Sequence, residues 1–290
     1  MSEDNKTDIL KKIQIILTDM MGQFVKICDE NDIEYFVMFG TALGAVRHQG
    51  FIPWDDDIDI GMMRSEYDKL RKVFETQDTG CLFLGSPDGD YEWQDKVFPK
   101  LYYKDTIFIS ESWNNDFEKS GEGCGRPINF DIFLFDYTDG NVDEIIKKAL
   151  KIKRKYIYYK FKSRLIKDQG LGTLAASIIK RLMYDVHHSD PDCAKKLYDK
   201  YVKLVSHPKS DYIICYDSLI TSDITGSRIR YDHSFPTIAM KFEGVDVKLQ
   251  NSYDEVLTSI YGDYMKLPPE DQRVAHTPYL VTFGDYQFPS

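Results

Sequence analysis

The sequence predicts an α/β protein, and three features predict it. Apolar residues recur every three or four positions over 8–30, which is the spacing of one helix face. Short apolar or alternating runs follow at 35–39, 57–60, 81–86, 97–103, 106–110 and 129–136, each with the length and pattern of a strand. Helical spacing returns in a basic block over 147–181 and again near the C-terminus. The 290 residues supply enough core for one large domain or two modest ones. A formal charge of −10 argues against general nucleic-acid binding. Five cysteines with no C-x-x-C pair read as reduced thiols, not as a disulfide framework or a zinc site. With no apolar run of twenty residues and no signal-like N-terminus, the sequence predicts a soluble, cytoplasmic protein.

In chain order, Ile9, Ile13, Ile16, Leu17, Met20, Phe24 and Ile27 form the apolar stripe of the first helix, with Thr7 or Asp8 as its cap. The stretch YFVMFGTALGAVRHQGFIPWDDDIDIG, Tyr35 to Gly61, comes next. Its apolar start, Tyr35–Phe39, reads as a buried strand, broken at Gly40-Thr41 before a short helix from Ala42 to His48. After a Gly-Phe-Ile-Pro loop and Trp54, acids alternate with isoleucines. A period of two sends Asp57 and Asp59 to one side and Ile58 and Ile60 into the core. Carboxylates about 7 Å apart along a strand raise one another's pKa, and a divalent cation such as Mg²⁺ or Mn²⁺ relieves them. An EF-hand reading, with Glu66 at the twelfth position, fails because Ile60 stands where that loop needs glycine. Arg47 offers a planar fork either to a phosphate or to an internal carboxylate, and His48 is a surface histidine or a substrate contact.

Helix signals resume at Arg64–Phe74, followed by the strand runs CLFLGS, VFPKLYY and TIFIS. Lys100, on the second of these, either reaches a phosphate or is solvated. Tyr91, Trp93, Phe98, Tyr102, Tyr103, Phe108 and Trp113 cluster around it. Ring faces of this kind bind quaternary ammonium groups, though most such rings are core. In the run from Asn129 to Asp136, Asp131 is an acid inside an apolar strand, which is costly unless paired; Asp136 reads as a turn residue at its end. If that strand lies beside the Asp57/Asp59 strand, Asp131 completes a three-carboxylate cluster.

The order strand, Gly-Thr, helix, loop, acidic strand resembles the nucleotidyltransferase (polymerase β-like) superfamily. The string GTALGAVRHQGFIPWDDDIDIG is more specific and resembles the signature of the LicD family of phosphotransferases, as do FDIF at 130–133 and YGDYMKLPPEDQRVAH at 261–276. Met63 and Leu134 stand where that family often has proline. The resemblance implies a nucleotidyltransferase-type mixed sheet core with a helical insertion and a C-terminal helical segment. The divisions expected are 1–140 for the core, 141–215 for the basic insertion and 216–290 for a C-terminal segment packing back on the core. It also implies catalytic, metal-binding roles for Asp57, Asp59 and Asp131 with Mg²⁺ or Mn²⁺, and phosphate contacts at Gly40 and Thr41. Arg47, His48, Trp54, Trp93, Lys100, Tyr102 and Arg273 complete the candidate substrate-binding set. The donor implied is a CDP-alcohol, CDP-choline above others, and the acceptor a glycan hydroxyl, with CMP released. The basic run 147–181, in so acidic a protein, suits a lipid-linked or anionic acceptor or peripheral contact with the inner membrane surface. Two rival readings are transfer of the nucleotide itself and a non-enzymatic metal- or glycan-binding module.

Overall fold

The computed structural model of the protein describes residues 3–89, 97–110, 126–138, 142–160, 192–217, 228–273 and 278–289. The chain starts with helix α1 (Glu3–Glu30), whose Ile13, Ile16, Leu17, Met20 and Phe24 are buried at the predicted spacing. A two-residue strand β1 (Phe36–Val37) then turns into α2 (Phe39–His48). The predicted strand Tyr35–Phe39 is thus shorter than expected and the helix begins earlier. The switch is made at Phe39, whose φ of +47° turns the chain into the helix before Gly40.

Strand β2 (Asp59–Met63) leads directly into α3 (Arg64–Thr76). Strands β3 (Leu82–Gly85), β4 (Lys100–Tyr103), β5 (Ile107–Ser110) and β6 (Asn129–Thr138) follow. Helices α4 (Val142–Lys160) and α5 (Cys193–Val205) pack on one another through Ile146, Ala149, Tyr156, Tyr198 and Tyr201. The basic run beyond residue 160, with its expected break at 170–172, lies outside the described residues. The C-terminal part contributes β7 (Tyr212–Ile214), β8 (Arg228–Arg230), the short α6 (Tyr231–Ser234), the hairpin β9 (Ile238–Phe242) and β10 (Val245–Leu249), then α7 (Tyr253–Tyr261) and β11 (Pro278–Thr282).

These strands form one mixed sheet in the order β3-β4-β6-β2-β1-β10-β9, with β7 and β8 continuing beyond the far end of β6. β2 runs parallel to β6 and β1 parallel to β10, while the other neighbouring pairs are antiparallel. β5 pairs instead with β11 in a separate two-stranded sheet. Alternation then sorts the side chains. Ile58, Ile60, Met62, Leu101, Phe130, Ile132 and Leu134 join the core beneath α1. Phe36, Met63, Phe133 and Phe135 belong to a second cluster with Phe98 and Ile213. Gly61 makes room on this second face, because a Cβ there would strike the ring of Phe36.

Asp136 is not a turn residue. It lies within β6, is 5% exposed, and takes both arms of the Arg64 guanidinium at 2.8 and 2.6 Å. A buried carboxylate needs such a partner, and the first residue of α3 supplies it. Asp217 joins the same group, accepting from Tyr201 Oη and from Leu134 N. No helix among the described residues is long and apolar enough to cross a membrane.

Candidate active site

The sheet register assembles the site. Asp59 on β2 pairs with Asp131 on β6, and Asp131 pairs in turn with Lys100 on β4. Three charged residues therefore stand side by side on three neighbouring strands. Each alternates with residues of the α1-facing core, so all three project from the opposite face. Asp57 is exposed and precedes the strand: β2 begins only at Asp59, because β1 has by then turned into α2 and its neighbouring ladder has ended. The link across to β6 still starts early, with Asp131 N donating to Ile58 O at 2.9 Å.

Electrostatics within this group are unfavourable for bare carboxylates. Burial first, and then the charges of Asp57, Asp131 and Asp55, hold Asp59 well above the usual carboxylate range. Asp55 is pushed up to about 8, by burial and then by Asp57 and Asp56. Asp55 was not among the candidates from sequence, yet its carboxylate lies against the start of α2: a Cβ on Gly40 would sit 2.7 Å from Asp55 Oδ2. Gly40 thus permits a close approach of a carboxyl group to the helix N-terminus, and here that group is the protein's own Asp55. Thr41, 2% exposed, accepts from Asp59 N through Oγ1 at 2.9 Å and so fixes the start of β2.

Lys100 is not solvated. It is 3% exposed, and its ammonium donates to Asp131 and, at 3.3 Å, to Asn129 Oδ1, above the Phe98 ring at 5.4 Å. Aromatic rings border the same face: Phe133 meets Phe98 at 4.8 Å and Phe39 at 5.4 Å between centroids. Phe39 and Phe133 were absent from the candidate set, although Phe133 stands two residues after Asp131, the spacing that puts it on the same side of the strand.

Arg47 makes no ion pair with a carboxylate among the described residues. Its guanidinium donates to Tyr264 O at 2.7 Å and Lys266 O at 3.5 Å, tying α2 to the C-terminal loop, and its Nε approaches His48 Nδ1 at 3.4 Å. Burial and then the Arg47 charge depress the pKa of His48. Arg273 lies with its guanidinium 5.5 Å from the Trp54 ring centre and donates to Pro268 O at 2.9 Å. Tyr102 is fully buried and stacked on Phe83 at 5.0 Å. Trp93 lies outside the described residues, as do Tyr91 and Trp113. Tyr261, at the end of α7 and 41% exposed, is a further neighbour: partial desolvation and then the Asp59, Asp55 and Asp57 charges raise its hydroxyl pKa. Its signal in the sequence was its place at the head of YGDYMK.

As placed, no three side chains of the metal-ligating types among the described residues stand close enough to grip an ion. Asp131 is drawn to Lys100. The arrangement nonetheless concentrates hard oxygen ligands on one sheet face, beside a helix N-terminus and a buried ammonium, which is chemistry suited to a diphosphate and a divalent cation.

Residues 32–168 match the model of the LicD/FKTN/FKRP nucleotidyltransferase domain. The chain is similar to the lipopolysaccharide cholinephosphotransferase LicD of Haemophilus influenzae, 29% identical over 273 residues, which cover 92% of this chain and 95% of that protein. Shorter likenesses occur to uncharacterized proteins of Rickettsia prowazekii, 41% identical over 68 residues (23% of this chain, 26% of that one), and Rickettsia typhi, 45% over 58 residues (20% and 19%). With the acid-bearing strands paired inside the matched segment, residues 32–168 are identified as a nucleotidyltransferase domain of the LicD/FKTN/FKRP type, and the chain over nearly its whole length is similar to the Haemophilus protein.

Proposed function

We propose that the protein transfers a phospho-alcohol, phosphocholine above others, from a CDP-activated donor to a glycan hydroxyl, releasing CMP. The observation that carries this reading is the pairing of Asp59 with Asp131 across adjacent parallel strands in a domain of this family. The candidate ligand atoms are all oxygen, the kind Mg²⁺ or Mn²⁺ takes, and the Asp57 charge, which adds to burial in raising both Asp55 and Asp59, is one that a cation would offset. Asp57, Asp59 and Asp131 would hold the ion, which when bound neutralises the donor diphosphate.

The chain's own residues supply the rest. The N-terminus of α2 favours the anionic donor beside Gly40. Asp131 accepts the proton of the attacking glycan hydroxyl. That oxygen forms a bond to the alcohol-bearing phosphorus as the bond to CMP breaks in line. Arg47 positions the C-terminal loop through the carbonyls of Tyr264 and Lys266. Choline is supported by the aromatic border of Phe39, Phe133 and Phe98, since a trimethylammonium head is recognised by ring faces and has no hydrogen to donate. The name of the Haemophilus relative supports the same alcohol and a lipopolysaccharide acceptor. On α4, exposed Lys147, Lys148, Lys151, Arg154 and Lys155 suit an anionic, lipid-linked acceptor.

A second reading, transfer of the nucleotide, is favoured by the nucleotidyltransferase description of the domain. Mass analysis of the products separates the two. Release of CMP with a phosphocholine-bearing glycan supports the first, and release of phosphocholine with a CMP-bearing glycan replaces it. Comparing CDP-choline with CDP-ribitol and CDP-glycerol on wild type and Phe39→Ala tests the alcohol. Equal use of all three donors by both proteins would remove choline from the proposal.

A further inference from the structure

We infer that Glu243 is a positioning residue for the acid run: from the tip of the β9–β10 hairpin it holds the loop that delivers Asp55–Asp59 to the site. What the acids then do rests on the phosphotransferase reading, whereas the hold on the loop does not.

The hairpin turn is the first sign. Phe242 pairs with Val245, so Glu243 and Gly244 form a two-residue connection, and both have positive φ, +48° and +82°. Such turns favour Asn-Gly, Asp-Gly or Gly-Gly, because a longer side chain is strained in the left-handed conformation. Glu243 therefore stands where its backbone does not favour it, and its side chain is engaged elsewhere. Its carboxylate accepts a hydrogen bond at 3.0 Å from Phe51 N, 192 residues away along the chain. Its own N donates to Gln49 O at 2.9 Å. The neighbouring Phe242 ring meets the Phe51 ring edge-on at 4.8 Å between centroids. Residues 242 and 243 thus grip the 49–51 loop by backbone and side chain together.

Gly50 leaves room for this grip. A Cβ there would lie 2.1 Å from Glu243 Oε1, and the three nearest atoms it would meet all belong to Glu243. Gly50 does not have a positive φ, so the close approach, not the conformation, is what calls for glycine. From this anchor the chain runs only four residues from Phe51 to the first acid, Asp55. Ile52 is buried, Asp55 N donates back to Ile52 O at 2.8 Å, and Gln14 Nε2 donates to Asp55 O at 2.8 Å. A shift at Phe51 is therefore passed through a short, closed turn to Asp55 and on to Asp57, which precedes β2. An error of about 1 Å in such a placement costs up to about a hundredfold in rate.

The test uses the full chain as wild type, Glu243→Gln, Glu243→Asn, Gly50→Ala and the double variant Gly50→Ala/Glu243→Asn. Amide exchange at Phe51, Tm and CMP release from CDP-choline are measured on each. Glu243→Gln keeps an acceptor oxygen at the same reach, so exchange and turnover should stay within about threefold of wild type. Glu243→Asn suits the turn but is one methylene shorter. Its Tm should stay within about 3 °C of wild type, while Phe51 exchange rises and turnover falls, each about tenfold. Gly50→Ala should do the same by pushing the carboxylate aside, yet change the Glu243→Asn protein by less than about twofold. Wild-type turnover or wild-type Phe51 exchange in Glu243→Asn, or additive losses in the double variant, overturn the positioning role. Turnover that falls only in step with Tm across the series also overturns it, and leaves a stabilising turn. Wild type that releases no CMP overturns the phosphotransferase reading instead, and Phe51 exchange then judges the hold on the loop by itself.

Discussion

At the scale of single residues, the acids of the 55–59 run and Asp131 do different work. Asp59 and Asp131 are brought together by register, Asp57 approaches from the loop, and Asp55 covers the start of α2. Asp57→Asn, Asp59→Asn and Asp131→Asn should each lower turnover at least about a hundredfold while keeping a cooperative thermal transition. Near-normal turnover in any two would reject the carboxylate set. A pH signature follows from Asp55, whose folded pKa is pushed up to about 8, above its ordinary 3.8. Between those values the folded state holds a proton that the unfolded chain has released. The contribution is therefore fully present below pH 3.8 and is lost as pH rises through 8. In EDTA, the Tm of wild type should fall relative to that of Asp55→Asn across this window. A difference that stays flat with pH would contradict the burial of this carboxylate.

At the scale of elements, two devices hold the site in place. The first is the Arg64–Asp136 pair, which joins the start of α3 to β6 five residues beyond Asp131. Arg64→Met would strand Asp136 and Asp217 without their guanidinium and should cost about 3–5 kcal/mol, read from the urea midpoint. Retention of full stability would show that the fork is dispensable. The second is the left-handed cap of α2, where exposed Gln49 has φ +57°. Gln49→Gly should raise stability by about 0.5–1 kcal/mol in the same assay, because glycine takes that conformation without a Cβ penalty. Much of this level was legible in the sequence. The alternation of Ile58 and Ile60 with acids gave the faces of β2, and an acid within FDIF pointed to a strand next to it. What could not be read was register. Nothing local to Lys100 says that it faces Asp131, and nothing local to Arg47 says that it binds a carbonyl 217 residues away. Those partners are chosen by the sheet and by the returning C-terminus. Asp136 was misread because its charge looked like a turn signal, while its guanidinium partner sits 72 positions earlier.

At the scale of the whole molecule, the helical pair α4–α5 is joined to the core partly through Lys153, which donates to Tyr216 O and, at 2.7 Å, Asp217 O. Lys153 is thus different from its exposed neighbours Arg154 and Lys155. Charge reversal at Arg154 and Lys155 should weaken binding of an anionic acceptor severalfold, increasingly so at low salt, with donor hydrolysis to CMP unchanged. Reversal at Lys153 should instead lower Tm. Acceptor affinity that ignores both salt and the Arg154/Lys155 reversal would leave α4 as a solvated surface.

The parallel pairing of Val37 with Leu249 carries a consequence for how the chain comes off the ribosome. One edge of β1 receives its partner only after more than two hundred further residues have been made. Until then the acid-bearing β2 has a neighbour whose far side is an open, apolar strand edge, prone to pairing with another chain. Refolding should accordingly be slow for the size of the protein, as is usual when ladders join distant segments. A nascent chain stalled before β10 should be sensitive to protease and need a holding chaperone, and one released after it should not.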